Sequence, residues 1–282
     1  IYSQVMEGLK VTVKRIILLA AALLLIFIIG MFVIFNRGRG NKPGSVAENS
    51  SVSALLVKAK DAQSRGDFAG AKQDYQKLVS EFPNSQEVMS WIKKIEELNI
   101  KMLFSSKVDF RSTLYEIKPG DTLGKIARDF NTTVELLKNS NNLQDDRIIP
   151  GRKIKVWVKP FSILVYKSQN ILILKSDGEI IKTYIVSTGK NNSTPVGTFK
   201  ITSKLPNPTW FKAGAIVPPG SPENILGTRW LGIDIPSYGI HGTTEPQTLG
   251  QQVTQGCVRM SNPEVEELYT IVPIGTEVVI VE

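Results

Sequence analysis

Twenty consecutive residues without a charge, Ile16 to Phe35 (IILLAAALLLIFIIGMFVIF), constrain this chain more than any other feature. At 1.5 Å of rise per residue such a helix is about 30 Å long, the thickness of a bilayer's hydrocarbon core. A helix in a soluble core is seldom apolar all round over that length. A cleavable signal has a shorter apolar core and a small-x-small site, whereas Asn36-Arg37-Gly38-Arg39 follows here. The segment therefore predicts one uncleaved transmembrane helix over 16–35. Lys10, Lys14 and Arg15 before it balance Arg37, Arg39 and Lys42 after it, so flanking charge gives no orientation. The chain begins at Ile1 rather than methionine, which points to a truncated start or an alternative codon.

The 282 residues allow two or three further small domains. The net charge of +8 suits an anionic neighbour, but the lysines and arginines are scattered, which argues against a nucleic-acid footprint. One cysteine excludes an internal disulfide framework. With one histidine and one cysteine, a zinc site would lack two ligands, and nothing calls for a metal or a cofactor.

Residues 36–50, rich in Gly, Ser, Asn and Pro, read as a flexible linker. Helical periodicity covers 51–105. Leu55, Leu56, Ala59 and Ala62 mark one apolar stripe, broken at Gly66-Asp67, and Phe68, Ala71, Tyr75, Leu78, Val79 and Phe82 mark a second. After Pro83, Asn84-Ser85 with Glu87 predicts a capping box opening a third helix with Val88, Ile92 and Ile95. The run GDFAGAKQDYQKLVSEFPNS resembles a single tetratricopeptide-like repeat. A helical spacer and a partner-binding module both remain open for it.

Residues 112–159 predict a β-α-α-β order. A strand at Leu114 to Ile117 meets the Pro119-Gly120 turn, and Asp121 or Thr122 caps a helix burying Leu123, Ile126, Ala127 and Phe130. A second helix carries Val134 and Leu137, and Pro150-Gly151 leads to a strand at Lys153 to Val158. Tyr115, Pro119-Gly120-Asp121-Thr122-Leu123, Ile126-Ala127, Asn141-Asn142-Leu143 and Pro150-Gly151 together resemble a LysM module. The resemblance implies binding of N-acetylglucosamine-containing glycan, in bacteria usually peptidoglycan.

From Phe161 the texture changes to strands. Three β-rich runs contain a hairpin turn at Asp177-Gly178, Pro, Gly and Trp crowd residues 195–240, and Thr276 to Val281 reads as a closing strand, with long loops expected between strands. One helix is signalled by Asn262 at the cap and Pro263 in the first turn. This predicts a mostly-β domain over 161–282.

That domain holds the sole histidine, His241, and the sole cysteine, Cys257, sixteen positions apart and each beside a glycine. A free thiol is mostly protonated at neutral pH, and an adjacent imidazole can take its proton to leave a thiolate–imidazolium pair that attacks a carbonyl. Gly256 leaves room for a sharp turn and a substrate, the amides around Cys257 are candidate oxyanion donors, and Arg259 is a candidate anchor for a carboxylate. A buried structural cysteine, a structural histidine and a loop-bracing arginine satisfy the same spacing. Spacing alone leaves both readings open.

His241-Gly242-Thr243 and the run Thr254-Gln255-Gly256-Cys257-Val258-Arg259-Met260 with Asn262 resemble the L,D-transpeptidases of the YkuD family. Ser187-Thr188-Gly189-Lys190, Thr194 to Phe199, Asn224 to Trp230 and Gly239-Ile240 fit as well. Some members have His where Gln255 stands, and Ser is usual at Thr254. The resemblance implies that Cys257 attacks the third residue of a peptidoglycan tetrapeptide stem and expels the terminal D-Ala, with His241 as base and then acid. A second stem's amine resolves the thioester into a 3→3 cross-link. Arg259, Gly256, Gly242 and Thr254 become candidates for substrate and oxyanion binding. The group that orients His241 is left open, with a backbone carbonyl near Gly242 as candidate. The fold class expected is thus multidomain: a transmembrane helix, an α-helical hairpin spacer, a βααβ LysM module and a mostly-β catalytic domain. Residues 1–15 would be cytoplasmic and 36–282 would face the wall. Alternatives are an L,D-carboxypeptidase, a transferase attaching protein to the wall, and a non-catalytic wall-binding anchor.

Overall fold

The computed structural model describes residues 46–212 and 214–282. The expected transmembrane segment 16–35, residues 1–15 and most of the expected linker lie outside the described residues. Among the described residues no helix is long and apolar enough to cross a membrane.

Three helices come first. α1 (Val46–Ser64) begins inside the stretch read as a linker. The chain then turns at Gly66 with φ +72°, and the Asp67 carboxylate accepts the Gly70 N–H at 2.9 Å to cap α2 (Phe68–Glu81). α3 (Val88–Phe104) starts later than the expected capping box. Ser85 Oγ spends itself on the Glu87 N–H at 3.2 Å in a turn ahead of the helix, and Glu87 makes no side-chain cap. Ala59, Ala71, Tyr75, Leu78, Trp91 and Leu98 form the core between these helices.

The expected β-α-α-β module follows as β1 (Ser112–Glu116), α4 (Leu123–Asp129), α5 (Val134–Ser140) and β2 (Lys153–Trp157), with β1 and β2 antiparallel. Thr122 is the cap of α4, accepting the Lys125 N–H at 3.1 Å. Asp121 instead accepts the Tyr115 hydroxyl at 2.7 Å and the Lys118 N–H at 2.9 Å, closing the Pro119-Gly120 turn.

The remainder is built on an eight-stranded sheet. Its strands are β3 (Phe161–Tyr166), β4 (Ile171–Ser176), β5 (Glu179–Ile185), β7 (Gly197–Pro206), β10 (Arg229–Ile233), β11 (Gly239–His241), β13 (Val258–Arg259) and β14 (Glu277–Val281). Their order is β13-β11-β10-β7-β14-β3-β4-β5, antiparallel except for the parallel pairs β14–β3 and β11–β13. Asp177 and Gly178 both take positive φ, 52° and 83°, as a two-residue hairpin turn requires. Two short pairs sit outside this sheet: β6 (Thr188–Gly189) with β12 (Gln252–Thr254), and β8 (Trp210–Lys212) with β9 (Ala215–Val217). The ten residues of β7 hide an alternating pattern, Thr198-Phe199-Lys200-Ile201, among prolines and glycines. α6 (Asn262–Ile271) lays Val265, Leu268 and Ile271 on the sheet, in one core with Ile163, Val165, Leu231, Ile240, Val258 and Ile280.

The helical segment is not a detached spacer. β5 is a sheet edge, and an open edge leaves backbone groups unpaired. α3 closes it with side chains: Asn99 Nδ2 donates to Ile181 O at 2.9 Å and Ile180 O at 3.3 Å, and Glu96 Oε1 accepts the Thr183 N–H at 2.9 Å. From the β-α-α-β module, the buried Lys155 ammonium donates to Met102 O and Ser105 O, both at 2.8 Å, and so caps the C-terminal end of α3. Leu103, Leu136 and Trp157 join the core of the large sheet. Val52–Glu282 forms one compact unit.

Candidate active site

The site grows out of the parallel pair at one end of the sheet. β11 and β13 register Ile240 against Val258 and His241 against Arg259. Paired residues on neighbouring strands share a face, and alternate residues take opposite faces. Ile240, Val258 and Met260 therefore enter the core, while Cys257, His241 and Arg259 line a cleft of about 960 Å³. β10 obeys the same rule: Leu231 is buried in the core, and Trp230, opposite His241, lines the cleft. The apolar wall is completed by Leu205, Trp210, Phe211, Ile225 and Leu226, and the polar side by Ser237, Thr254, Gln255 and Arg259.

His241 is buried, with its ring stacked on Trp230 at a centroid distance of 5.9 Å and an interplanar angle of 18°. Its Nδ1 lies 2.7 Å from the carbonyl oxygen of Gly242. A carbonyl can only accept, so Nδ1 carries the proton and Nε2 is the basic nitrogen. Burial pushes the imidazole pKa from 6.5 down to about 4, against the Gly242 hydrogen bond, and the Arg259 charge adds to the lowering.

Cys257 sits at the lip of the same cleft, and its Sγ donates to Ser237 O at 3.5 Å. Burial pushes the thiol pKa up, opposed by the Gly239 backbone N–H beside the sulfur and by the Arg259 charge. Both shifts favour the uncharged forms. They work against the thiolate–imidazolium pair that an adjacent base could otherwise form.

The residues expected to contact the substrate are largely spent on building the turn. Thr254 Oγ1 accepts the Gly256 N–H at 3.2 Å and donates to Cys257 O at 2.7 Å, so its one proton is not available for an oxyanion. The Gly242 N–H donates to Arg229 O at 3.2 Å. Gly256 has φ +131°, and a Cβ there would stand 2.6 Å from Tyr238 Cε1, so glycine is required. Arg259 Nη1 donates to Glu245 Oε2 at 2.8 Å and to Thr248 Oγ1 at 2.9 Å, which braces the loop between the two strands. The Arg259 Nε–H is buried with no hydrogen-bond partner in a residue that lines the cleft.

Sequence reasoning gave no site role to Trp230, Ser237 and Gly239, and did not see the work of Asn262. Asn262 is the first residue of α6 after the cap, Ser261. Its Oδ1 accepts the N–H of Thr228 at 3.2 Å and of Thr243 at 3.0 Å. The first three were legible as a hairpin: Trp230-Leu231-Gly232-Ile233 and Gly239-Ile240-His241 flank a Pro-Ser turn, and pairing them sets Trp230 against His241.

Residues 160–280 match the L,D-transpeptidase catalytic domain family YkuD, and residues 115–157 match the LysM domain family. The chain is 37% identical over 174 residues to YkuD of Bacillus licheniformis, assigned to the L,D-transpeptidases by its name, across 58% of this chain and 96% of that protein. It is 40% identical over 126 residues to YqjB of Bacillus subtilis, named likewise, across 43% of this chain and 70% of that protein. An L,D-transpeptidase of known structure from Mycobacterium tuberculosis H37Rv gives a TM-score of 0.39 at 19% identity, over 48% of this chain and 63% of that chain.

Proposed function

Since the chain belongs to the YkuD family of L,D-transpeptidases and carries a LysM domain, we propose that it is a wall enzyme that cross-links peptidoglycan stems through a thioester on Cys257. The observation that carries the reading is that His241 on β11 and Cys257, just before the parallel strand β13, line one cleft, with His241 Nδ1 committed to Gly242 O. The imidazole is thereby left with Nε2 as the base.

Cys257 Sγ forms a bond to the carbonyl carbon of the third stem residue as its proton passes to His241 Nε2. The tetrahedral adduct collapses by breaking the C–N bond, and His241 returns the proton to the departing D-Ala amine. An amine of a second stem then attacks the thioester carbonyl, the C–S bond breaks, and the thiol is restored as a 3→3 link forms. Arg259, which lines the cleft, binds a polar group of the donor stem. Gly256 and Thr254 shape the turn that presents the sulfur, and Gly242 leaves room for Asn262 beside His241.

The LysM domain holds glycan, and the apolar segment 16–35 anchors the chain in the cytoplasmic membrane with residues 36–282 on the wall side. The test is to incubate the protein with disaccharide-tetrapeptide and follow products by mass spectrometry. Loss of D-Ala together with dimer is expected, and Cys257→Ala abolishes both. Tripeptide without dimer would make it a carboxypeptidase, and no turnover would leave a wall-binding anchor.

A further inference from the structure

His241 is not held by an acidic side chain, yet its orienting group is not an isolated carbonyl either. The Gly242 carbonyl and the Thr243 N–H belong to one peptide unit. On one side, the carbonyl faces His241 Nδ1 at 2.7 Å. On the other, the N–H donates to Asn262 Oδ1 at 3.0 Å. Asn262 Oδ1 also takes the Thr228 N–H at 3.2 Å, tying the strand before the hairpin to the loop after His241. Glycine at 227 and 242 is what lets the carboxamide approach, because a Cβ at either position would overlap Asn262 Oδ1.

We infer that Asn262 is a positioning residue for the base: it fixes and polarises the 242–243 peptide, which in turn holds His241 in the tautomer with Nε2 free to take the thiol proton. The inference rests on the catalytic reading above. Physically it is a chain of three dipoles, amide oxygen to peptide to imidazole, in which each hydrogen bond strengthens the next. A peptide carries no net charge, so it orients the ring while raising its basicity less than a carboxylate would. This agrees with an imidazole that rests neutral.

The charges facing this unit are few and committed. Arg259 on β13 pairs with Glu245 at 2.8 Å. Arg229 on β10 donates to Thr228 O at 2.7 Å and stands 3.9 Å from Glu266 of α6. On α6, Glu264 accepts from Ser261 Oγ at 2.7 Å, and Glu267 is held by Lys182 and Tyr184, both at 2.8 Å. The Cys257 thiol and the Tyr238 hydroxyl line the same cleft, and Tyr269 of α6 packs on Arg229.

Because the chain has a single histidine, the ring nitrogens of His241 give one resolvable signal set in a ¹⁵N-labelled sample of the full chain. In the unsubstituted protein that signal should report the Nδ1–H tautomer. Asn262→Ala should shift it toward a mixture of tautomers and lower kcat about 10- to 100-fold with KM little changed. Asn262→Asp keeps the acceptor and adds a charge. It should retain the Nδ1–H tautomer, recover most of the lost kcat, and raise the imidazole pKa, moving the acid limb of the pH–rate profile upward. If both variants leave the tautomer and the titration of His241 unchanged, the inference is overturned, whatever happens to the rate. If Asn262→Ala does not fold, Asn262→Asp decides alone: an unmoved imidazole pKa overturns it. If the unsubstituted protein turns nothing over while the ring signal still responds to residue 262, the catalytic reading fails and the positioning stands.

Discussion

Trp230 and His241 face each other across β10 and β11, their rings 18° from parallel with centroids 5.9 Å apart. This contact makes the indole one wall of the environment that keeps the imidazole neutral. Trp230→Ala should admit water to the ring and raise the His241 pKa from about 4 toward its ordinary value of 6.5. Titration of the single histidine signal measures this. A pKa that stays put would mean that burial comes from elsewhere.

Thr254 should matter through its hydroxyl and not its methyl group. Thr254→Val keeps the shape but strands the Gly256 N–H and the Cys257 carbonyl, at a cost of about 1–3 kcal/mol each at most. Thr254→Ser keeps both bonds. Denaturation midpoints and thiol alkylation rates should therefore separate Val from Ser, with Ser close to the unsubstituted protein.

How much of this was legible beforehand follows from what each residue's neighbours encode. The sixteen-residue spacing of His241 and Cys257 is that of a parallel crossover, since parallel neighbours need a connection of a dozen or more residues. The apolar alternation of Ile240 and Val258 already told which face each catalytic candidate takes. The β-α-α-β module was readable from its turn and cap chemistry, although Thr122 and not Asp121 makes the cap. What could not be read was long-range. Nothing local in α3 says that Asn99 and Glu96 close a sheet edge eighty residues away, and a helix-start asparagine looks the same whether it caps its own helix or, as Asn262 does, staples two loops. The low pKa of His241 depends on burial that only the assembled sheet creates.

Acid should weaken the fold through His241. Its folded pKa of about 4 lies below the unfolded value of 6.5, so the unfolded chain binds a proton first as pH falls. The contribution is fully present above pH 6.5 and is lost between 6.5 and about 4, amounting to about 3 kcal/mol by the usual conversion. Urea midpoints of the unsubstituted protein and of His241→Gln should converge or cross as pH is lowered through that window. Parallel pH dependence of the two would contradict it.

The helices and the LysM domain each have a cluster of their own, but Leu103 of the former and Leu136 and Trp157 of the latter join the core of the β domain, so the three should unfold together. Asn99→Leu leaves the Ile180 and Ile181 carbonyls without their side-chain donor and should destabilise the fold by about 1–3 kcal/mol, lowering its single midpoint. An early, separate loss of helical signal would show instead that α1 to α3 form an independent unit.

The central claim is that Cys257 carries the acyl group. Intact-mass measurement of the protein, quenched in acid soon after mixing with a tetrapeptide-stem disaccharide, tests it most directly. The expected result is an added mass equal to the disaccharide-tetrapeptide less D-Ala, mapped by proteolysis to the peptide containing Cys257 and absent from Cys257→Ala. D-Ala release or cross-linking by Cys257→Ala, or an adduct on any other residue, would contradict it.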